Sequence, residues 1–86
     1  MTYKIAIPKT VQKQLDNLHT DIYDRVLAEI ILLQNNPRPM NAIKMKNNQG
    51  YRMRIGDYRV LYDINDQSQI ITLRRVGHRR EIYRYE

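Results

Sequence analysis

The sequence predicts an α+β domain in which a helical hairpin packs on one face of a mostly antiparallel sheet. Two patterns along the chain support this class. Before Asn35 the apolar residues recur with the spacing of amphipathic helices, whereas after Gly50 they alternate with polar residues, as in strands with one buried face. The predicted order is β-α-α-β-β-β with a short C-terminal tail. Since the 86 residues contain no linker-like stretch, we expect a single domain over residues 1–86.

A short strand and a first helix are expected at the N-terminus. Residues 3–7 form a β-like run that stops at Pro8, and proline is typical of a strand end or a first helical turn. Val11, Leu15 and Leu18 then repeat at i, i+4 and i+7, which predicts a short amphipathic helix.

A second helix is expected to follow, with Thr20-Asp21 as its N-terminal cap. Acidic residues near this end suit the positive pole of the helix dipole. Asn35-Asn36-Pro37 predicts the end of the helix. The apolar stripe that should face the core consists of Tyr23, Val26, Leu27, Ile30 and Ile31.

Three alternating strands complete the predicted sheet. They are expected at Tyr51 to Ile55, Tyr58 to Ile64 and Ile70 to Val76, with turns at residues 56–57 and 66–68. The alternation assigns three aromatic side chains to the core, namely Tyr51, Tyr58 and Tyr62. Arg52 and Arg54 then point to the opposite face of the sheet. Arg75 alternates with Ile71 and Leu73, which predicts a partly buried and paired arginine.

The net charge of +6 lies entirely in the C-terminal part of the chain. Residues 1–37 contain four Lys and Arg against four Asp and Glu, whereas residues 38–86 contain eleven against five. Basic residues concentrated on strands and interleaved with tyrosines suit a protein that holds a polyphosphate and stacks on its bases. The pattern therefore indicates a nucleic-acid partner, and RNA in particular.

Composition excludes several classes of protein. Without cysteine the chain can have no disulfide framework, thiolate nucleophile or Cys-ligated zinc site. Its first residues lack the apolar run of a signal peptide, and no segment approaches the ~18 apolar residues of a membrane span. The absence of cysteine also fits a reducing compartment. We therefore expect a cytoplasmic protein that makes no membrane contact.

The strand region also carries a family resemblance. The string RMRIGDYRVLYDI over residues 52–64, followed by a third strand and VGHRREIY at residues 76–83, resembles the RelE/ParE superfamily of bacterial toxins, on its RelE side. The specific feature is a basic strand ending in GDYR, paired with a downstream HR…Y. The resemblance implies a metal-independent endoribonuclease without a cofactor. Such toxins enter the ribosomal A site, cut the mRNA codon there, and are held inactive by a cognate RelB-like antitoxin.

The resemblance assigns roles to individual residues. The family's basic catalytic positions fall on Arg52 and Arg54, although members often have lysine there. Its phosphate-contacting arginine falls on Arg59, the arginine after the third strand on Arg79, and the tyrosine at the target nucleotide on Tyr83. Outside the resemblance, four further basic side chains are expected to favour RNA binding, namely Lys44, Lys46, Arg80 and Arg84.

Cleavage by the neighbouring 2′-OH has three chemical requirements. One group must take the 2′ proton, others must stabilise the charge at phosphorus, and one must protonate the departing 5′ oxygen. Guanidinium groups suit only the second task, because arginine with a pKa above ~12 is a poor base. Histidine titrates near pH ~6.5, which makes His78 a candidate acid or base. Tyr83 is another, since guanidinium groups around a tyrosine favour its phenolate.

The same residues could also have purely structural roles. Arg52 and Arg54 would also suit the solvated face of an amphipathic strand. Arg59 would also suit a surface ion pair with Asp57 or Asp63. The two lysines of the IKMK run would also suit an exposed sheet edge that discourages aggregation. A site that mainly positions RNA, held in line by the ribosome, would need no acid–base pair at all.

Two other functions are left open by the sequence. ParE-type members of the superfamily inhibit DNA gyrase by binding the protein, and a small non-catalytic RNA-binding module would carry the same charge. On the first interpretation, the expected partners are the ribosome with its rRNA, mRNA, and an antitoxin with an acidic or amphipathic segment. Operator DNA is expected only through the toxin–antitoxin complex.

Overall fold

The computed structural model describes residues 2–46 and 50–82. Its strands are β1 (Lys4–Ala6), β2 (Ala42–Lys44), β3 (Tyr51–Ile55), β4 (Tyr58–Asn65) and β5 (Ile70–His78), and its helices are α1 (Lys9–Asp16), α2 (Thr20–Leu32) and α3 (Arg79–Ile82). The α+β class and the predicted order of elements are confirmed. Two short elements were not predicted, since β2 precedes the three main strands and α3 replaces part of the expected tail. Within the described ranges no helix is both long and apolar enough to cross a membrane.

The five strands form one sheet in the order β1-β5-β4-β3-β2. β1 runs parallel to β5, and all other neighbours are antiparallel, which confirms the mostly antiparallel sheet. The connection from β1 to β5 runs through both helices and through β2, β3 and β4, which is consistent with the long crossover that parallel neighbours require. β2 has only three residues and owes its strand conformation to hydrogen bonding with β3, a partner that a local pattern does not reveal.

The main core lies between the two helices and the sheet. Its buried members are Val11, Leu15, Val26, Ile30, Leu33, Met53, Ile55, Val60, Tyr62, Ile71, Leu73 and Val76. The prediction of core tyrosines is confirmed, because Tyr62 is fully buried and Tyr51 and Tyr58 pack against the cluster. The hydroxyl of Tyr62 donates to the carbonyl oxygen of Pro37 at 2.7 Å, so its polar atom is satisfied despite burial.

Two details of the predicted helices are wrong. Thr20 is the first helical residue of α2, so the cap position belongs to His19, whose side chain makes no capping hydrogen bond. Ile31, which the helical period places in the buried stripe, is 52% exposed. Leu33, one residue beyond the helix, is buried instead. Leu33 keeps a helical backbone conformation and continues the row of Val26 and Ile30 at i+7, so it faces the core although it lies just past the last helical residue.

A β-bulge between β4 and β5 changes which face Arg75 occupies. Leu61 pairs with Arg75, but Tyr62 pairs with Leu73, so Arg74 is the extra residue on β5. The inserted residue reverses the alternation, which puts Arg75 on the face away from the helices, with Leu61. The expectation that Arg75 shares a face with Ile71 and Leu73 is therefore wrong.

The face of the sheet away from the helices has a small apolar cluster of its own. Leu61 and Ile82 are both buried but do not belong to the main core. A β-carbon at Gly77 would lie 3.6 Å from Cδ1 of Ile82, an ordinary van der Waals distance, so Ile82 of α3 packs directly on β5 at this glycine. α3 thus covers one part of this outer face and leaves the part on β3 and β4 for the arginines.

Candidate nucleic-acid site on the outer face of the sheet

The sheet register brings three of the predicted site residues onto one face. Arg54 on β3 lies opposite Arg59 on β4, and Arg59 lies opposite Gly77 on β5. Arg52 lies opposite Leu61 in the adjacent row. Because side chains alternate along each strand, all three guanidinium groups project to the side away from the helices.

These side chains line a cleft of about 410 Å³, which we call the arginine cleft. It is formed by Met40, Asn41, Ile43, Arg52, Arg54 and Arg59. Met40 and Ile43 leave large apolar surfaces exposed at its rim. A concave surface with a cationic floor and an apolar rim can hold a phosphate group and contact a nucleobase beside it.

Arg59 is the buried member of the cleft, with 7% of its surface exposed. Its Nη1 donates to the carbonyl oxygens of Gly56 at 2.8 Å and Tyr58 at 2.9 Å. The alternative of a surface ion pair with Asp57 or Asp63 is wrong, since these carboxylates lie near Arg79 and Arg74. The two carbonyl oxygens take up the Nη1 donors of Arg59 without neutralising its charge, so Arg59 remains attractive to an anion.

Arg54 is exposed and lies directly across the strand pair from Arg59. Like charges in directly opposed positions destabilise a sheet by roughly 0.2–1 kcal/mol. The half-buried Arg52, two residues before Arg54 on the same face of β3, adds a third positive charge to this repulsion. Residues that break a local rule of stability are expected at functional sites, where a bound anion relieves the repulsion.

Arg79 lies at the start of α3 and is attached to the β3–β4 turn. Its backbone N–H donates to the carbonyl oxygen of Asp57 at 2.7 Å, and its Nε lies 3.8 Å from Oδ1 of the same residue. The neighbouring Gly56 has a φ of +57°, which suits a two-residue hairpin turn. Arg59 and Arg79 therefore hold adjacent residues of one turn, although Arg79 does not line the arginine cleft.

His78 lies in a different place from the arginines. It is opposite Tyr58, whose ring it meets edge to face with centroids 5.4 Å apart. Its Nδ1 accepts a hydrogen bond from the backbone N–H of Arg80 at 3.2 Å. Together with His19 and Glu81, His78 lines a second cleft of about 370 Å³ beside α1. The fold thus separates the histidine from the arginine cleft.

The predicted RNA-binding residues that the structure describes are dispersed. Lys44 lies opposite Tyr51 on the helix side of the sheet, at its exposed edge. Lys46 is exposed in the segment after β2, and Arg80 is exposed on α3. Tyr83 and Arg84 lie outside the described residues. Over residues 2–46 and 50–82, no group of three or more His, Asp or Glu side chains is arranged to hold a metal ion.

Sequence reasoning missed Asn41. Its Nδ2 donates to the backbone carbonyl oxygen of Arg54 at 2.8 Å and to Oε1 of Glu29 at 3.2 Å. Asn41 lies just before β2 and shows no periodicity or charge that would single it out. Only the pairing of β2 with β3 brings it beside Arg54.

A second polar network lies at the other end of the sheet. Arg38 donates from Nη2 to Oδ2 of Asp66 at 2.8 Å and from Nε to the hydroxyl of Tyr51 at 3.0 Å. The hydroxyl of Tyr3 donates to Oδ1 of Asp66 at 2.6 Å. The hydrogen bond from Arg38, with that from Tyr3, lowers the pKa of Asp66 below its usual value. The network ties the N-terminus, the segment before β2 and the β4–β5 turn together.

Comparison with known proteins identifies chains of the same fold and similar sequence. The family described as "ParE toxin of type II toxin-antitoxin system, parDE" matches residues 5–83. Putative toxin RelE1 of Methanocaldococcus jannaschii is 31% identical, over 98% of both chains. The archaeal RelE–RelB complex from Pyrococcus horikoshii contains a chain with 34% identity and a TM-score of 0.81, covering 92% of this chain and 97% of that one. A chain of the RelB–RelE antitoxin–toxin complex from Methanococcus jannaschii has 31% identity and a TM-score of 0.75, with 93% and 96% covered.

Proposed function

The chain belongs to the RelE/ParE superfamily of toxins from type II toxin–antitoxin systems, and we propose that it cleaves mRNA at the ribosomal A-site codon. The observation that supports this best is the convergence of Arg52, Arg54 and Arg59 in one cleft. A surface that only bound another protein would not need guanidinium groups converging on one point. An RNA phosphate needs this arrangement, because a planar guanidinium offers a fixed fork of donors to two phosphate oxygens.

The proposed reaction is an internal transfer on the RNA. The 2′ oxygen attacks the adjacent phosphorus, the P–O5′ bond breaks, and a cyclic phosphate and a 5′-hydroxyl end are formed. The 2′ hydroxyl loses its proton, and the departing 5′ oxygen gains one. Arg52 and Arg54 stabilise the additional negative charge on the phosphoryl oxygens, and Arg59 holds the same group from the turn side.

Proton transfer is the task that the arginine cleft does not perform. Tyr83, outside the described residues, follows α3 and is the proposed proton-transfer or stacking group at the target nucleotide. His78 is placed with His19 and Glu81 in the second cleft, so its position gives no support to a role at the scissile phosphate. Positioning of the mRNA by the ribosome, together with charge stabilisation, then supplies much of the acceleration.

A RelB-like antitoxin is the proposed inhibitor. The related archaeal structures are RelE–RelB complexes, and the +6 charge of this chain suits a partner with acidic residues. An acidic segment of the antitoxin would neutralise the arginine cleft and exclude RNA from it. The cations outside the arginine cleft, namely Lys44, Lys46, Arg79 and Arg80, would increase attraction to rRNA, and we expect the same of Arg84 from its charge alone.

Inhibition of gyrase by protein binding is a second candidate function. It is favoured by the matching family description, which names a ParE toxin, and by the exposed apolar side chains of Met40 and Ile43. Exposed apolar side chains that lie together are typical of surfaces that bind other proteins. A gyrase inhibitor would depend on these side chains and tolerate loss of single arginines, whereas the nuclease would show the reverse.

Mapping of mRNA 5′ ends in a translation extract tests the proposal. We expect new ends inside A-site codons only when the message is being translated, and only with the unaltered protein or with a control such as Lys13→Gln. Arg52→Ala/Arg54→Ala should remove these ends. Intact message together with gyrase-linked DNA breaks would instead support the second candidate. Gradual loss of binding with each arginine, without any cleavage, would indicate a non-catalytic RNA-binding module.

A further inference from the structure

Asn41 forms hydrogen bonds with both backbone polar groups of Arg54, the N–H and the carbonyl oxygen. The N–H of Arg54 donates to the backbone carbonyl oxygen of Asn41 at 2.9 Å. The side-chain Nδ2 of Asn41 donates to the carbonyl oxygen of Arg54 at 2.8 Å. β2 begins only at Ala42, opposite Met53, so Asn41 uses its side chain to extend the pairing by one residue along β3.

The same amide group connects Arg54 to a helix. Nδ2 of Asn41 also donates to Oε1 of Glu29 at 3.2 Å, and Glu29 lies on α2. Asn41 lines the arginine cleft and also an adjoining apolar cleft of about 340 Å³ that includes Glu29, Leu33 and Met53. It therefore stands between the helix layer and the cationic surface.

We propose that Asn41 is a positioning residue that sets where the guanidinium group of Arg54 reaches into the arginine cleft. This inference rests on the proposed function. The side chain of Arg54 is exposed and its residue lies opposite Arg59, so repulsion between the two cations favours displacement of its guanidinium group away from Arg59. The backbone anchor at Asn41 opposes that displacement, while Glu29 holds the anchor itself.

The chemistry of the site specifies an amide at position 41. An asparagine side chain has two N–H donors, and both acceptors here are oxygens. Aspartate has the same shape but no donor when ionised, and it would add a negative charge beside Glu29. A serine hydroxyl has only one donor and a shorter reach, so it cannot hold Arg54 and Glu29 together.

A double-mutant cycle between Asn41 and Arg54 tests the proposal. Asn41→Asp should lower kcat for A-site cleavage about tenfold with KM changed less than about twofold, because a misplaced charge-stabilising group slows the chemical step. In an Arg54→Ala background the same substitution should lower kcat less than about twofold, since coupled residues are not additive. Equal losses in both backgrounds would overturn the proposal.

A matched control and a direct readout accompany the cycle. Glu29→Gln keeps an oxygen acceptor for Asn41 and should leave kcat near that of the unaltered protein. The NMR resonance of the Arg54 Nε–Hε group should shift in Asn41→Asp and stay in place in Glu29→Gln. An unmoved resonance in a folded Asn41→Asp protein would refute the positioning role. If the unaltered protein cuts no message but the resonance shifts, the proposed nuclease function fails and the link from Asn41 to Arg54 stands.

Discussion

Arg54 and Arg59 lie directly opposite each other on β3 and β4, yet they differ in exposure and in their hydrogen bonds to the backbone. Arg59 is buried and donates to carbonyl oxygens of its own hairpin turn. Arg54 is exposed, and its backbone is held by Asn41. Arg59 therefore organises a turn in addition to its proposed phosphate contact, whereas Arg54 only presents charge to a ligand. Substitutions at the two positions should differ accordingly.

Arg54→Gln should abolish most activity without destabilising the fold. The substitution removes the like charge opposite Arg59, so the free energy of unfolding should rise by ~0.2–1 kcal/mol. Cleavage of translated message should fall by about a hundredfold, as expected for loss of a charge-stabilising donor. Urea denaturation and single-turnover cleavage measure the two effects. Lower stability in Arg54→Gln would show that the two cations do not repel each other across the strands.

Arg59→Met should lower both stability and activity. The apolar side chain can fill similar space but leaves the carbonyl oxygens of Gly56 and Tyr58 without their donor. Loss of such a partner costs ~1–3 kcal/mol in the free energy of unfolding. Arg59→Lys, which keeps the charge and can still donate, should recover part of the stability in the same denaturation experiment. If Arg59→Met unfolds at the same urea concentration as the unaltered protein, the turn does not depend on this guanidinium.

His78→Ala should leave the pH dependence of cleavage unchanged. The imidazole lines the second cleft and contacts Tyr58 and the backbone of Arg80, away from the arginine cleft. Single-turnover rates between pH 5.5 and 8.5 would test this, because the range extends from about one pH unit below histidine's ordinary pKa of ~6.5 to about two units above it. Tyr83→Phe serves as the comparison, because it removes a proposed proton-transfer group. A flattened profile in His78→Ala alone would restore His78 as the acid or base.

Asp66→Asn should weaken the acid dependence of stability. Hydrogen bonds from Arg38 and Tyr3 lower the pKa of Asp66 in the folded chain, so the ionised form is favoured by folding. This contribution is present above the ordinary aspartate pKa of ~3.9 and is lost as the pH falls through the lower folded value. Thermal unfolding between pH 2 and 6 should therefore differ between the two proteins above pH ~4 and converge at the acid end. Parallel curves would mean that Asp66 keeps its ordinary pKa. Asp24→Asn, at an exposed position on α2, is the matched control.

The spacing of apolar residues along the chain was sufficient to predict the main elements of the fold and the position of part of the site. The change of period after Gly50 predicted a sheet with one wet face, and Arg52 and Arg54 were correctly placed on it. The assignment of Tyr62 to the core followed from the same alternation. These predictions succeed because the period of a strand is a property of consecutive residues.

The sequence by itself thus determined the α+β class, the main strands and the side of the sheet on which Arg52 and Arg54 lie. Only the tertiary structure decided that Arg75 changes face at a bulge, that His78 occupies a separate cleft, and that Asn41 holds Arg54. Each of these depends on which residue of one strand pairs with which residue of another. Register is set by contacts between residues distant in sequence, and a shift of one residue exchanges the two faces of a strand.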